Sequence, residues 1–137
     1  MDAFDADVLI YATVSGHTLG RPVRKLFATA PVDRDPVIVG VGSVLLLPEL
    51  LAKPLRDQAH DELAELSALL GRLDLRPTDE ATADLATALA ARYRLRAADA
   101  VHLATAVNAG ADRFLTNNSR DFPKSIVEID VTYPHEL

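Results

Sequence analysis

Two aspartates, Asp5 and Asp7, stand inside the apolar stretch "AFDADVLIYA" near the start of the chain. An ionised carboxylate taken out of water without a partner is costly, so acids in such places ask for a purpose. Glu49 repeats the pattern in "LLLPELLA", three and four residues after Leu46 and Leu45, on the face a helix would bury. Asp99 opens "AADAVHLATA", and Asn118 and Asp121 lie in "LTNNSRDF". Each has a plain structural explanation. Asp5 or Asp7 can cap a helix, Asp99 can sit on a helix dipole, Glu49 can reach solvent from a helix edge, and Asn-Ser-Asp loops are usually turns.

Taken together, the acids are more specific than any one of them. Two unit charges about 4 Å apart repel by about 4 kcal/mol at an effective dielectric of about 20. Carboxylates sharing one pocket must therefore take up protons or hold a cation. Oxygen donors without Cys or His partners select hard ions, Mg2+ or Mn2+, over zinc or copper. The chain has no cysteine, which removes thiolate metal sites and cysteine nucleophiles. Its histidines (His17, His60, His102 and His135) make no HExxH spacing. His102, one turn after Asp99, reads as a hydrogen-bonded histidine at a packing edge and stays outside the catalytic set.

The elements that must position these groups alternate between strand and helix. A strand over 3–5 leads to a helix carrying "VLIYATV", with Asp7 as its cap and Gly16 near its end. "GRPVRKLFATA" follows as a helix with Val23, Leu26, Phe27 and Ala30 along one stripe, then "PVIVG" as a short strand. "SVLLLPELLAK" reads as a helix capped by Ser43 and kinked at Pro48, and "RDQAHDELAELSALLGRL" as one with Leu63, Leu66 and Leu70 inward, closed by Gly71. "LDLR" is a strand, and "DEATADLATALAARYR" a helix with Asp79 and Glu80 at its positive end. "AADAVHLATAVNAG" is a helix stopped by Gly110, "DRFLT" a strand, and "SIVEIDV" a last strand. This order predicts an α/β fold with a mainly parallel central sheet and right-handed crossovers. Open sheets of that kind keep their sites at the carboxyl ends of the strands, where Asp5, Asn118 and Asp121 fall.

A chain of 137 residues, 49% hydrophobic and 25% charged, is expected to form a single domain over 1–137. The acidic start "MDAFDADV" argues against a secretory or mitochondrial leader. The longest apolar run, 44–51, is interrupted by Pro48 and Glu49 and too short to span a bilayer, so a cytoplasmic location without membrane contact is expected. The net charge of −6 does not advertise nucleic-acid binding over the whole surface. Locally, Arg92, Arg94 and Arg96 precede Asp99, and Arg113 and Arg120 flank the other acidic loop; they read equally well as phosphate contacts or as solvated helix ends.

The segments "AFDADVLIYA", "SVLLLPELLAKP" and "RLRAADAVHLATAVNAGADRFLTNNSRDF", in this order and at these separations, resemble the PIN-domain ribonucleases, and among them the VapC toxins of bacterial toxin–antitoxin pairs. The resemblance covers nearly the whole chain. It implies a PIN-like α/β/α sandwich in which Asp5, Glu49, Asp99 and Asp121 form an acidic, Mg2+- or Mn2+-binding active site. Asn118 would stand beside them, with Asp7 and Thr116 supporting the pocket through hydrogen bonds. It further implies an endoribonuclease acting on structured RNA such as tRNA or rRNA, with Arg94, Arg96 and Arg120 as RNA contacts. A homodimer and a VapB-like antitoxin partner are part of the same expectation. Hydrolysis of this kind leaves 5′-phosphate and 3′-hydroxyl ends.

Other readings compete. "DADV" fits the DxDx(T/V) motif of haloacid-dehalogenase-like phosphatases, with Asp5 as nucleophile, but no GDxxxD motif follows. A PIN-fold binding module without activity is the non-enzymatic alternative. "GVGSVL" lacks the third glycine of GxGxxG, and no GxSxG is present, so neither a dinucleotide site nor a nucleophile elbow is supported.

Overall fold

The computed structural model describes residues 1–28 and 37–137. Its sheet has five strands in the order β3-β2-β1-β4-β5, formed by β1 (Asp2–Phe4), β2 (Gly40–Ser43), β3 (Leu73–Arg76), β4 (Arg113–Leu115) and β5 (Asp130–Thr132). Every neighbouring pair is parallel. Successive side chains on a strand point to opposite faces, so β1 and β4 each serve two cores. Ala3, Val41, Phe114 and Val131 pack with α5 (Glu80–Tyr93) and α6 (Ala97–Asn108) on one face. Phe4, Leu73 and Leu115 pack on the other with α1 (Ala6–Thr13), α2 (Gly20–Ala28), α3 (Leu46–Arg56) and α4 (His60–Leu70). The result is the expected α/β/α sandwich.

Several boundaries differ from the sequence expectation for identifiable reasons. The second strand is Gly40–Ser43, not "PVIVG". Gly40 lies so close to β1 that an added Cβ would stand 2.4 Å from the Asp2 carbonyl oxygen and 2.6 Å from the Phe4 ring. Gly40 thus serves close strand packing, while Gly42 leaves room for the Leu46 side chain of α3, 2.5 Å from where its Cβ would stand. Ser43 ends that strand, and its hydroxyl accepts from the Leu45 N–H at 3.1 Å instead of capping the helix directly. Pro48 falls in the first turn of α3, where its missing N–H breaks no intrahelical bond, so no kink is required there. The expected long helix from Arg56 begins only at His60, because α3 runs on to Arg56 and Gln58 turns the chain with φ of 53°. Leu66 and Leu70 are buried as expected, whereas Leu63 is only partly so.

Val23 and Phe27 of α2 are buried, with Leu26 packed beside them; Ala30 and Pro36 lie outside the described residues. The last strand shrinks from "SIVEIDV" to Asp130–Thr132. Gly110 supplies the left-handed residue after α6, with φ of 70°. Among the described residues, no helix is long and apolar enough to cross a membrane.

Candidate functional site

The strand order reverses direction at β1: β2 and β3 lie to one side, β4 and β5 to the other. The crevice between the carboxyl ends of β1 and β4 is therefore the topological switch point, the place where open α/β sheets bind ligands. The Asp5 N–H donates to the Leu115 carbonyl at 2.9 Å, which locks the two strand ends together. Asp5, not Asp7, caps α1: its backbone is extended (φ −82°, ψ 163°), and Oδ1 accepts from the Ala6 N–H at 2.8 Å. Oδ2 accepts from the Thr116 hydroxyl at 2.8 Å. Asp5 is thus both helix cap and pocket residue. Burial pushes its carboxyl above the ordinary range, while the Thr116 hydrogen bond, the nearby His102 and the Ala6 N–H oppose that rise.

Asp7, freed from capping, reaches the other strand end. Its Oδ2 accepts from the Asn117 N–H at 3.0 Å, whereas Oδ1 is buried without a hydrogen-bond partner among the described residues. Burial, reinforced by the charge of Asp5, raises its carboxyl to about 7. The loop after β4 is held by a chain of small bonds. Thr116 Oγ1 accepts from the Asn118 N–H, Asn118 Nδ2 donates to Asp121 Oδ2 at 2.8 Å, and Asp121 N–H returns to Asn118 Oδ1 at 3.2 Å. Phe122, fully buried, packs edge-on against Phe114 with centroids 5.0 Å apart and anchors the loop to the core. Asn118 and Asp121 therefore share one locus through a mutual hydrogen bond.

Asp99 sits in the first turn of α6. Burial first, then the charges of Asp5, Asp121 and Glu49, raise its carboxyl, and His102 works against them. The first turn of one helix thus feels acids from β1, α3 and the β4 loop. Glu49, in the first turn of α3, keeps its side chain about one-third exposed (35%) and is not sunk into the core as its apolar neighbours implied. His102 Nε2 stands 3.0 Å from Glu49 Oε2. The sequence pattern alone leaves that histidine outside the site. Its signal was a polar side chain one turn after Asp99 in a helix otherwise made of small and apolar residues. Asn117, linked to Asp7 and through its amide to Tyr11 Oη at 3.4 Å, carried no signal beyond its place in the loop.

The donor set tests the expected metal by its chemistry. It is all oxygen, it comes from four separate segments, and Asp99 carries like-charge repulsion that a hard cation would relieve. Among the described residues, no group of three or more His, Cys, Asp or Glu is already gathered into a metal cage. The carboxylates are instead restrained by Thr116, Asn118 and His102.

The basic residues divide. Arg94 ends α5 in the left-handed conformation (φ 57°), Arg96 occupies the N-cap position of α6, and Arg120 lies in the β4 loop. All three are exposed, with no ion pair among the described residues. Arg113 is committed to Asp2 at 2.7 Å, and Arg92 to Glu128 at 3.0 Å. Those two hold structure.

The sequence profile of the PIN domain matches residues 3–125, and the chain belongs to that family. Similar folds occur in a toxin–antitoxin complex from Klebsiella pneumoniae (25% identity, all of both chains, TM-score 0.74). They also occur in VapBC2 from Rickettsia felis bound to a DNA fragment from its promoter (17% identity, 96% of this chain and 97% of that one, TM-score 0.70). DNA-bound VapBC from Salmonella typhimurium is likewise similar (19% identity, 97% of each chain, TM-score 0.72). No curated protein sequence matches this chain. With the family shown, Asp5 is a PIN-domain aspartate, and the dehalogenase-like phosphatase reading is set aside.

Proposed function

We propose that this PIN-domain protein is a VapC-type endoribonuclease toxin that hydrolyses phosphodiester bonds in structured RNA, tRNA or rRNA, with Mg2+ or Mn2+. The observation that carries this reading is that acids from separate segments come together near the β1/β4 switch point: burial and then Glu49 raise the Asp5 carboxyl, and burial and then Asp5, Asp121 and Glu49 raise that of Asp99. Asp5 and Asp99 would hold the cation, with Glu49 and Asp121 completing its surroundings or accepting a proton from the attacking water. The cation, when bound, supplies a lowered water pKa and neutralises charge on the phosphate oxygens.

The residues of the chain do the rest. Thr116 and the Ala6 N–H orient both oxygens of Asp5. Asn118 orients Asp121, and Asp7 ties the β4 loop to α1. Arg94, Arg96 and Arg120 are free to contact RNA phosphates. A homodimer belongs to the same reading, and so does a VapB-like antitoxin, the latter supported by the toxin–antitoxin complexes that share the fold. A cytoplasmic location follows from such a substrate, over a single domain of 1–137.

A second reading has its own observation. The acids are held by neighbouring side chains, Asp5 by Thr116, Asp121 by Asn118 and Glu49 by His102, an arrangement that a PIN-fold binding module pairing with a partner without turnover could equally carry. Incubating the full chain with total RNA, with and without Mg2+ or Mn2+, beside Asp5→Asn separates the two. Cleavage that needs the cation and disappears in the variant supports the nuclease. Equal RNA integrity in every lane overturns it in favour of the binding module.

A further inference from the structure

We propose that His102 is a positioning residue of this site, acting through Glu49; the inference rests on the nuclease reading above. The His102 side chain is 1% exposed and sits in a helix whose neighbours Ala100, Leu103, Ala104 and Ala106 are all buried apolar residues. A leucine or methionine there would leave no polar atom unsatisfied. The imidazole leaves one: Nδ1 is buried without a partner among the described residues. Burying a polar ring among apolar neighbours costs free energy unless its hydrogen bonds offset it. Its side-chain hydrogen bond goes to Glu49 Oε2, at 3.0 Å, on another helix 53 positions earlier in the chain.

The tautomer follows from the partner. A carboxylate oxygen accepts, so Nε2 carries a hydrogen and donates it. The consequence falls on Glu49. Its side chain is one-third exposed, and a free glutamate at that edge would sample several rotamers in water. A rigid, buried donor holds one oxygen in place and leaves Oε1 available to the acidic pocket. Groups that orient ligating side chains from behind typically change metal affinity by about 10–100-fold.

Calorimetric titration of the full chain with Mn2+ alone tests this, with Asp99→Asn as the control for the pocket itself. His102→Leu should weaken Mn2+ binding about tenfold. His102→Asn, still polar but too short to reach Glu49, should do the same, which covers the case in which the leucine variant does not fold. His102→Gln, whose amide can donate from near the Nε2 position, should restore most of the affinity. In a Glu49→Ala background, His102→Asn should add nothing further, because the two act as one unit. On RNA, His102→Asn should lower kcat and leave KM unchanged.

Wild-type Mn2+ affinity in His102→Asn, or the same loss with and without Glu49, overturns the role of His102. If Asp99→Asn also binds Mn2+ like the wild type, the pocket reading itself falls. That outcome is distinct from failure of the histidine alone.

Discussion

The Thr116 hydroxyl donates to Asp5 Oδ2 at 2.8 Å, joining residues 111 positions apart, and Thr116 Oγ1 itself accepts from the Asn118 N–H at 3.0 Å. One buried hydroxyl thus fixes the carboxylate at the end of β1 and the start of the loop that carries Asp121. Thr116→Val keeps the shape and removes both bonds, leaving two polar groups unpaired. The expected loss is about 1–3 kcal/mol of stability, read by urea denaturation. Thr116→Ser should keep most of it. A valine variant as stable as the wild type would show that the hydroxyl does not hold the site.

Asp5→Asn separates structure from chemistry because asparagine caps helices as well as aspartate does. The Ala6 N–H keeps its acceptor, so the circular dichroism spectrum and melting temperature should stay near wild type while RNA cleavage is lost. Asp99→Asn should behave alike, since its carboxyl already carries the repulsion of three other acids. Retained cleavage in either variant, measured on the same RNA, would remove these aspartates from the reaction.

The strand–helix alternation, the parallel sheet and the place of Asp5 at a strand end were legible because periodicity and the carboxyl-end rule depend on local sequence alone. The choice between Asp5 and Asp7 as helix cap was not. Both have the right side chain, and the choice turned on Asn117, whose N–H draws Asp7 away from the helix start. The register of β2 was hidden for a similar reason: "PVIVG" is the more apolar run, but only Gly40 lets the backbone approach Phe4. The roles of Arg113 and His102 depended on partners far away in sequence, Asp2 and Glu49, which no spacing pattern reveals.

Asp7 gives a pH signature. Its carboxyl is raised from the ordinary value of 3.8 to about 7 by burial and by Asp5. Between those values the folded chain binds more protons at this position than the unfolded chain. Its contribution to stability is therefore fully favourable at low pH and is lost as pH rises towards 7. Asn at this position still accepts from the Asn117 N–H but carries no charge. In a chelating buffer, Asp7→Asn should gain stability over wild type progressively between about pH 4 and pH 7, then hold that gain. Denaturation curves across that range read the difference. A gap that does not change with pH would show that Asp7 does not titrate in this window.

Arg120 and Arg96 are exposed beside the two acidic segments and have no ion pair among the described residues, whereas Arg113 is engaged with Asp2. A phosphate contact made by an arginine releases counterions, so its removal flattens the salt dependence of binding as well as weakening it. Measured in an Asp99→Asn background, where RNA survives, Arg120→Ala and Arg96→Ala should each weaken single-stranded RNA binding and reduce the log–log salt slope by about 0.7. Arg113→Ala should instead lower the melting temperature through its lost bonds to Asp2 and leave the slope alone. If Arg120→Ala and Arg96→Ala leave the salt slope where it was, these arginines are solvated ends of their elements. The RNA would then be held by other charges.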